Sequence, residues 1–119
     1  MAEQVFRSFR NPMGEAPGGF AHLLCALDFC LGSPMEIAIV GERDSAETQG
    51  FLAAVHAHFL PRKVVCLLDA DSGPEATHLV PLLRGRDKKD GHSTAYVCRN
   101  GACSLPVVEV QELEKLLQG

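Results

Sequence analysis

Two short, nearly unbroken apolar runs constrain this chain more than any other feature. Ile37-Ala38-Ile39-Val40 closes at Gly41, and Lys63-Val64-Val65-Cys66-Leu67-Leu68 closes at the turn-forming stretch 69–73. Runs this short, rich in β-branched residues and apolar at consecutive rather than alternate positions, read as strands covered on both faces. Between them Asp44 and Glu47 stand three apart ahead of Phe51, Leu52, Val55, Phe59 and Leu60. That spacing predicts a helix with Asp44 as N-cap and Glu47 as the acid of a capping box, stopped by Pro61. Strand, helix, strand in this order implies a right-handed crossover between parallel strands.

The flanking sequence adds helices and a hairpin. Phe20, Leu23, Leu24, Leu27 and Leu31 recur at spacings of three and four, so Phe20 to Leu31 reads as a core helix with one apolar stripe, ended by Gly32 and Pro34. A shorter helix, Ala2 to Phe9, precedes it, and the Pro- and Gly-rich stretch Asn11 to Gly19 is the linker. Pro74 is placed to open a helix through Leu83, with Gly85 as its stop and Pro81 kinking or dividing it. A charged loop, Arg86 to His92, leads to a strand at Thr94 to Cys98. Asn100-Gly101 is a two-residue hairpin signal, with Cys103-Ser104-Leu105 returning, and Val110, Leu113, Leu116 and Leu117 mark a final helix. The expected fold class is α/β: a small, mostly parallel sheet of three to four strands with flanking helices and a C-terminal β-hairpin followed by a helix.

Composition narrows the function classes. A chain of 119 residues is the length of one small domain. With 11 Lys and Arg against 15 Asp and Glu, and a basic cluster at 84–89 broken by Gly85 and Asp87, non-specific nucleic-acid binding is disfavoured. The longest apolar stretch, 20–31, contains His22 and Asp28 and falls short of the roughly 20 residues needed to cross a bilayer, so no membrane partner is expected. The first ten residues carry no apolar run of signal-peptide length, which makes a cytoplasmic location the default. Five cysteines, an odd number, with three in apolar surroundings, suit small buried hydrophobes in a reducing compartment.

Few residues combine into chemistry. The turn Gly41-Glu42-Arg43-Asp44 lies where an α/β domain would hold phosphate, but Glu42, Asp44 and Glu47 repel phosphate and suit helix capping instead. His56 and His58, two apart on one helix, face different directions and make no metal pair; His22, His78 and His92 are separated in sequence from one another. Asp69 and Asp71 with Ser72-Gly73 read as a turn. No catalytic set, metal site or cofactor is therefore expected. Cys98 and Cys103 are the most informative pair. With Asn100-Gly101 as the turn, Arg99 faces Ala102 and Cys98 faces Cys103, at a Cα separation of about 4.5 Å compatible with a disulfide. Two packed thiols, a reversible disulfide and a metal ligand pair all remain open on this spacing.

The block Ala95-Tyr96-Val97-Cys98-Arg99-Asn100-Gly101-Ala102-Cys103-Ser104-Leu105-Pro106-Val107 resembles the C-terminal signature of the spermatogenesis-associated, thioredoxin-domain-containing family. Glu36 to Gly41, Phe59 to Val65 and Pro81 to Leu83 resemble further family elements in the same order, Arg62 standing where Asn is common and Val108-Glu109-Val110 where Thr-Asp-Pro is usual. The resemblance implies a long parent protein with a thioredoxin-like domain followed by an α/α toroid. It implies that residues 1–33 are the end of the toroid and 34–119 a small closing α/β domain. On that reading the chain is a non-catalytic structural or interaction domain whose partners are the upstream domains. The stripe of the first long helix, without its neighbours, predicts homo-oligomer formation. The alternative is a small redox or regulatory protein using Cys98 and Cys103.

Overall fold

The computed structural model describes every residue except Ala70 and Gly119. The chain divides into two compact units, Met1–Pro34 and Met35–Gly119.

The first unit is helical: α1 (Ala2–Ser8), α2 (Arg10–Glu15), a 3-10 turn (Pro17–Phe20) and α3 (Ala21–Leu31). The stretch expected to be a linker is thus largely helical. Pro12 is tolerated because it lies in the first turn of α2, where a backbone N–H would have no helical partner. Phe9 and Phe20 pack with ring centroids 5.9 Å apart. The expectation of a core helix at 20–31 is corrected: the helix is present, yet no residue of α3 is buried.

The second unit is a four-stranded sheet in the order β2-β1-β3-β4, with β1 at Met35–Val40, β2 at Lys63–Leu68, β3 at Thr94–Arg99 and β4 at Ala102–Cys103. The helix between β1 and β2, α4 (Ala46–Ala57), carries the crossover, and β1 and β2 pair in parallel from Met35 with Lys63 to Val40 with Leu68. The α/β class holds, but the sheet is not mostly parallel: β1 and β3 pair antiparallel over their full length, as do β3 and β4. The lengths of the connections explain this. Twelve residues of α4 span about 18 Å, enough to return along a six-residue strand of about 20 Å. After β2 only α5 (Glu75–Leu79) and a 3-10 turn (Pro81–Leu83) follow, and a five-residue helix covers about 7.5 Å. The chain stays at the end of the sheet where β2 finished, and β3 starts beside Val40. Pro81 divides the helix expected over 74–83 at Val80, since its nitrogen has no proton to extend the ladder.

Both faces are covered over the inner strands β1 and β3, whereas β2, at the sheet edge, holds no fully buried residue and leaves Val64 exposed, so the covering expected of the second apolar run is only partial. Ile37, Ile39, Ala95 and Val97 face α4 and the final helix, α6 (Val110–Gln118), where Phe51, Val55 and Leu113 complete the main core. Ala38, Val40 and Tyr96 face the other way, against Leu83 with Val80 and Leu82. The return from β4 departs from a simple ladder. Cys103 pairs with Cys98 and Val107 bridges Ala95, so three residues on the returning side oppose two on β3. This one-residue bulge leaves Leu105 exposed and breaks the strand expected at 103–105.

Candidate functional site

The hairpin is set by local backbone chemistry. Asn100 and Gly101 have φ of 53° and 77°, the left-handed pair a tight two-residue turn requires. The register that follows places Cys98 directly opposite Cys103, with Arg99 opposite Ala102. The two sulfurs are joined as a disulfide across a Cα separation of 4.0 Å. Cys98 is 1% exposed and belongs to the buried middle of the sheet. Cys103, on the short edge strand, is exposed.

A third residue completes the arrangement. Arg86 Nη2 donates to Cys98 Sγ at 3.2 Å and to Cys103 Sγ at 3.3 Å. Its guanidinium lies 4.7 Å from the centre of the Tyr96 ring, a cation–π contact, and its Nε donates to the Leu82 carbonyl at 3.1 Å. Tyr96 is held in turn: its hydroxyl donates to the Asp87 carbonyl at 2.7 Å and accepts from the Asp87 N–H at 3.3 Å. Gly85 at φ 68° turns the chain just before Arg86, and Asp90-Gly91, at φ 53° and 78°, reverses it again so that Lys89 bridges His92. In sequence Arg86 is one member of a basic cluster and a charged loop. The Asp-Gly pair was a visible signal for the reversal, but nothing in sequence ties position 86 to positions 98 and 103.

A second polar cluster lies at the C-terminal end of β1. Ser45, not Asp44, is the N-cap of α4: its Oγ accepts from the Thr48 N–H at 3.2 Å and donates to Thr48 Oγ1 at 2.9 Å. Ser93 Oγ is 2.8 Å from Thr48 Oγ1 and 3.3 Å from Ser45 Oγ, and both Thr48 and Ser93 are buried. Gly41 passes so close that a Cβ there would collide with Ser93 and Thr48. Glu47 does not close a capping box. Its carboxylate accepts from the Ser93 N–H at 2.8 Å and pairs with His92 Nδ1 at 3.0 Å, contacts that hold its pKa below the ordinary 4.5, His92 contributing most. Glu42 is held low by Lys88 Nζ at 2.7 Å. These acids tie the 86–93 loop to α4 and to the turn before it.

The remaining sequence candidates do not converge. His58 Nδ1 is 2.8 Å from the Ala54 carbonyl at the end of α4, while His56, His22 and His78 are exposed. Asp69 accepts from the Asp71 N–H at 3.3 Å and lies 3.7 Å from Arg43 Nε. Among the described residues no group of three or more His, Cys, Asp or Glu side chains is placed to hold a metal. Of the other cysteines, Cys25 and Cys30 are exposed and so are not the packing thiols expected, whereas Cys66 is half-buried and packs against the Ala38, Val40 and Tyr96 side of the sheet. Burial raises the Cys66 thiol pKa, and the charge of Glu36 adds to the shift.

Sequence comparison gives relatives but no template. The chain is 32% identical to human spermatogenesis-associated protein 20 over 113 residues, 29% to the rat protein and 28% to the mouse protein. The matches cover 95% of this chain and 14% of each relative. No protein-family model matches the chain, and no solved structure matches it.

Proposed function

We propose that the chain, which is 32% identical to human spermatogenesis-associated protein 20 and spans about 14% of that relative's length, is the non-catalytic C-terminal structural or interaction domain of a longer, cytoplasmic, thioredoxin-domain-containing protein of that family. The observation that carries this reading is α3. In its apolar stripe Leu23, Leu24 and Leu27 are half-buried and Leu31 is 79% exposed, so no residue of the stripe is fully buried. A stripe left incompletely covered suits a surface that meets another. The partner is the preceding part of the parent chain. Hydrogen exchange on the longer protein and on this chain tests the assignment. Amides of α3 gain protection in the longer protein if the reading holds, and equal exchange in both overturns it. If the isolated chain instead protects α3 by forming a stable oligomer, a second copy is the partner. Robust disulfide-reductase or sugar-processing turnover by the isolated chain would defeat the non-catalytic assignment.

Arg86 on both sulfurs favours a second reading, in which the Cys98–Cys103 pair serves a redox or regulatory role. Thiol titration of the unfolded protein checks it: five thiols after reduction and three after mild oxidation are expected, from five cysteines of which three are free. A count that stays at five rules it out.

A further inference from the structure

We propose that the hairpin disulfide is a site of thiol–disulfide exchange with a thiol small or exposed enough to reach it, such as glutathione. Cys103 is the sulfur attacked, Cys98 the sulfur that leaves, and Arg86 the positioning residue that receives the departing charge. The inference rests on the redox reading of this pair and specifies its direction.

Three observations carry it. Exposure is unequal: Cys103 lies at the surface on a two-residue edge strand, whereas Cys98 is 1% exposed, so an incoming thiolate reaches Cys103 Sγ alone. The charge that attack releases appears on Cys98 Sγ, where Arg86 Nη2 already stands at 3.2 Å. Arginine stays protonated throughout, and a hydrogen bond from a cation to an anion is about twice as strong as a neutral one. Finally, Arg86 is anchored on its far side by the Leu82 carbonyl and across its plane by Tyr96, which Asp87 fixes in turn. The guanidinium is therefore in place before reaction, and charge-assisted hydrogen bonding to the leaving sulfur favours its departure.

The balance is that of ordinary exchange. A thiolate RS⁻ bonds to Cys103 Sγ while the Cys98–Cys103 bond breaks and its electron pair passes to Cys98 Sγ. A second RS⁻ then attacks the RS sulfur of the mixed disulfide, releasing RSSR and the Cys103 thiolate. Two RSH are oxidised to RSSR, the protein disulfide takes up two electrons, and the two protons end on the protein thiols or the solvent. RSSR drives the reverse.

The test uses the full chain with Cys25, Cys30 and Cys66 replaced by Ser, so that only the hairpin pair reports. A fall in thiol count on oxidation, recovered on reduction, establishes the redox reading; an unchanging count removes that reading and this inference with it. Given a reversible pair, oxidised glutathione should form a stable adduct on Cys103 in the reduced Cys98→Ser variant. It should react at least roughly tenfold more slowly with Cys98 in Cys103→Ser, in keeping with its burial. Equal rates overturn the assignment of the attacked sulfur. Arg86→Gln should slow reduction of the disulfide by glutathione about 3- to 10-fold, with Arg86→Lys recovering part of the rate through its retained charge. Circular dichroism confirms that each variant is folded. A folded Arg86→Gln protein reduced at the unaltered rate overturns the role of Arg86 while leaving the redox reading intact.

Discussion

The two units use similar apolar material to different ends. In residues 35–119 the apolar side chains of β1, α4 and α6 form an interior: Ile37, Ile39, Val55 and Leu113 are 0% exposed and Phe51 is 1%. In residues 1–34 only Met13 is buried, although α3 carries four leucines and Phe29. A sheet presents two faces that can each be roofed within 85 residues, and here α4 and α6 roof one while the segment 80–83 roofs the other. Short helices have no such closure of their own. Isolated helices under about 12–15 residues are marginal in water, and the longest here has 11. Hydrophobic content alone therefore does not make a core; the topology that encloses it does.

Cutting the chain at Pro34 separates the two units and should have the largest effect. Residues 35–119 should fold alone and unfold cooperatively close to the melting temperature of the full chain, whereas a peptide of residues 1–34 should show little helical signal by circular dichroism. A stably helical 1–34 peptide would contradict the contrast directly. Equivalent truncations come next. Phe51→Ala should cost about 3–5 kcal/mol in denaturant unfolding through the cavity it leaves, while Leu31→Ala should stay within about 0.5 kcal/mol. Comparable losses would mean that α3 is covered after all.

Glycine substitutions extend the contrast to smaller effects. A methyl group at Gly41 meets Ser93 and Thr48, both buried, so Gly41→Ala should destabilise by about 1–3 kcal/mol. Gly18 has nothing within 4 Å of such a methyl, and Gly18→Ala should be neutral or slightly stabilising in the same assay. The smallest expected effect is electrostatic. Glu47 has a folded pKa below its ordinary 4.5, so its contribution to stability is present above that value and is lost as pH falls through the lower folded value. Its carboxylate is exposed at the surface, which keeps the effect modest. Glu47→Gln should flatten the acid limb of the stability profile of the second unit, and an unaltered limb would show that the His92 and Ser93 contacts do not persist in solution.

Much of the second unit was legible from local pattern. The strands near 37–40, 63–68 and 94–98 follow from apolar runs and turn residues, and the hairpin register follows from Asn100-Gly101 because a two-residue turn leaves one way to pair the flanking residues. The direction of β3 was not legible in that way, since alternating elements suggest parallel strands and only the reach of the 75–83 connection decides otherwise. The N-cap moved by a single residue, from Asp44 to Ser45, because Ser45 also meets Thr48 and Ser93 while a local motif sees only the helix it starts. Cys25 and Cys30 illustrate the opposite error: apolar neighbours in sequence implied burial that a one-sided helix does not supply.

Local pattern sufficed for the α/β class, the crossover from β1 to β2 and the placing of Cys98 opposite Cys103, because each depends on residues close in the chain or on a period read along it. Only the assembled fold joins those two sulfurs, turns β3 antiparallel, sets Glu47 on the 92–93 segment and brings Arg86 against both sulfurs of the hairpin. The Arg86 and Glu47 contacts join positions 12 to 46 residues apart, and the β1–β3 partners lie farther apart still. Their geometry depends on how the connecting loops close, and no local periodicity encodes that closure.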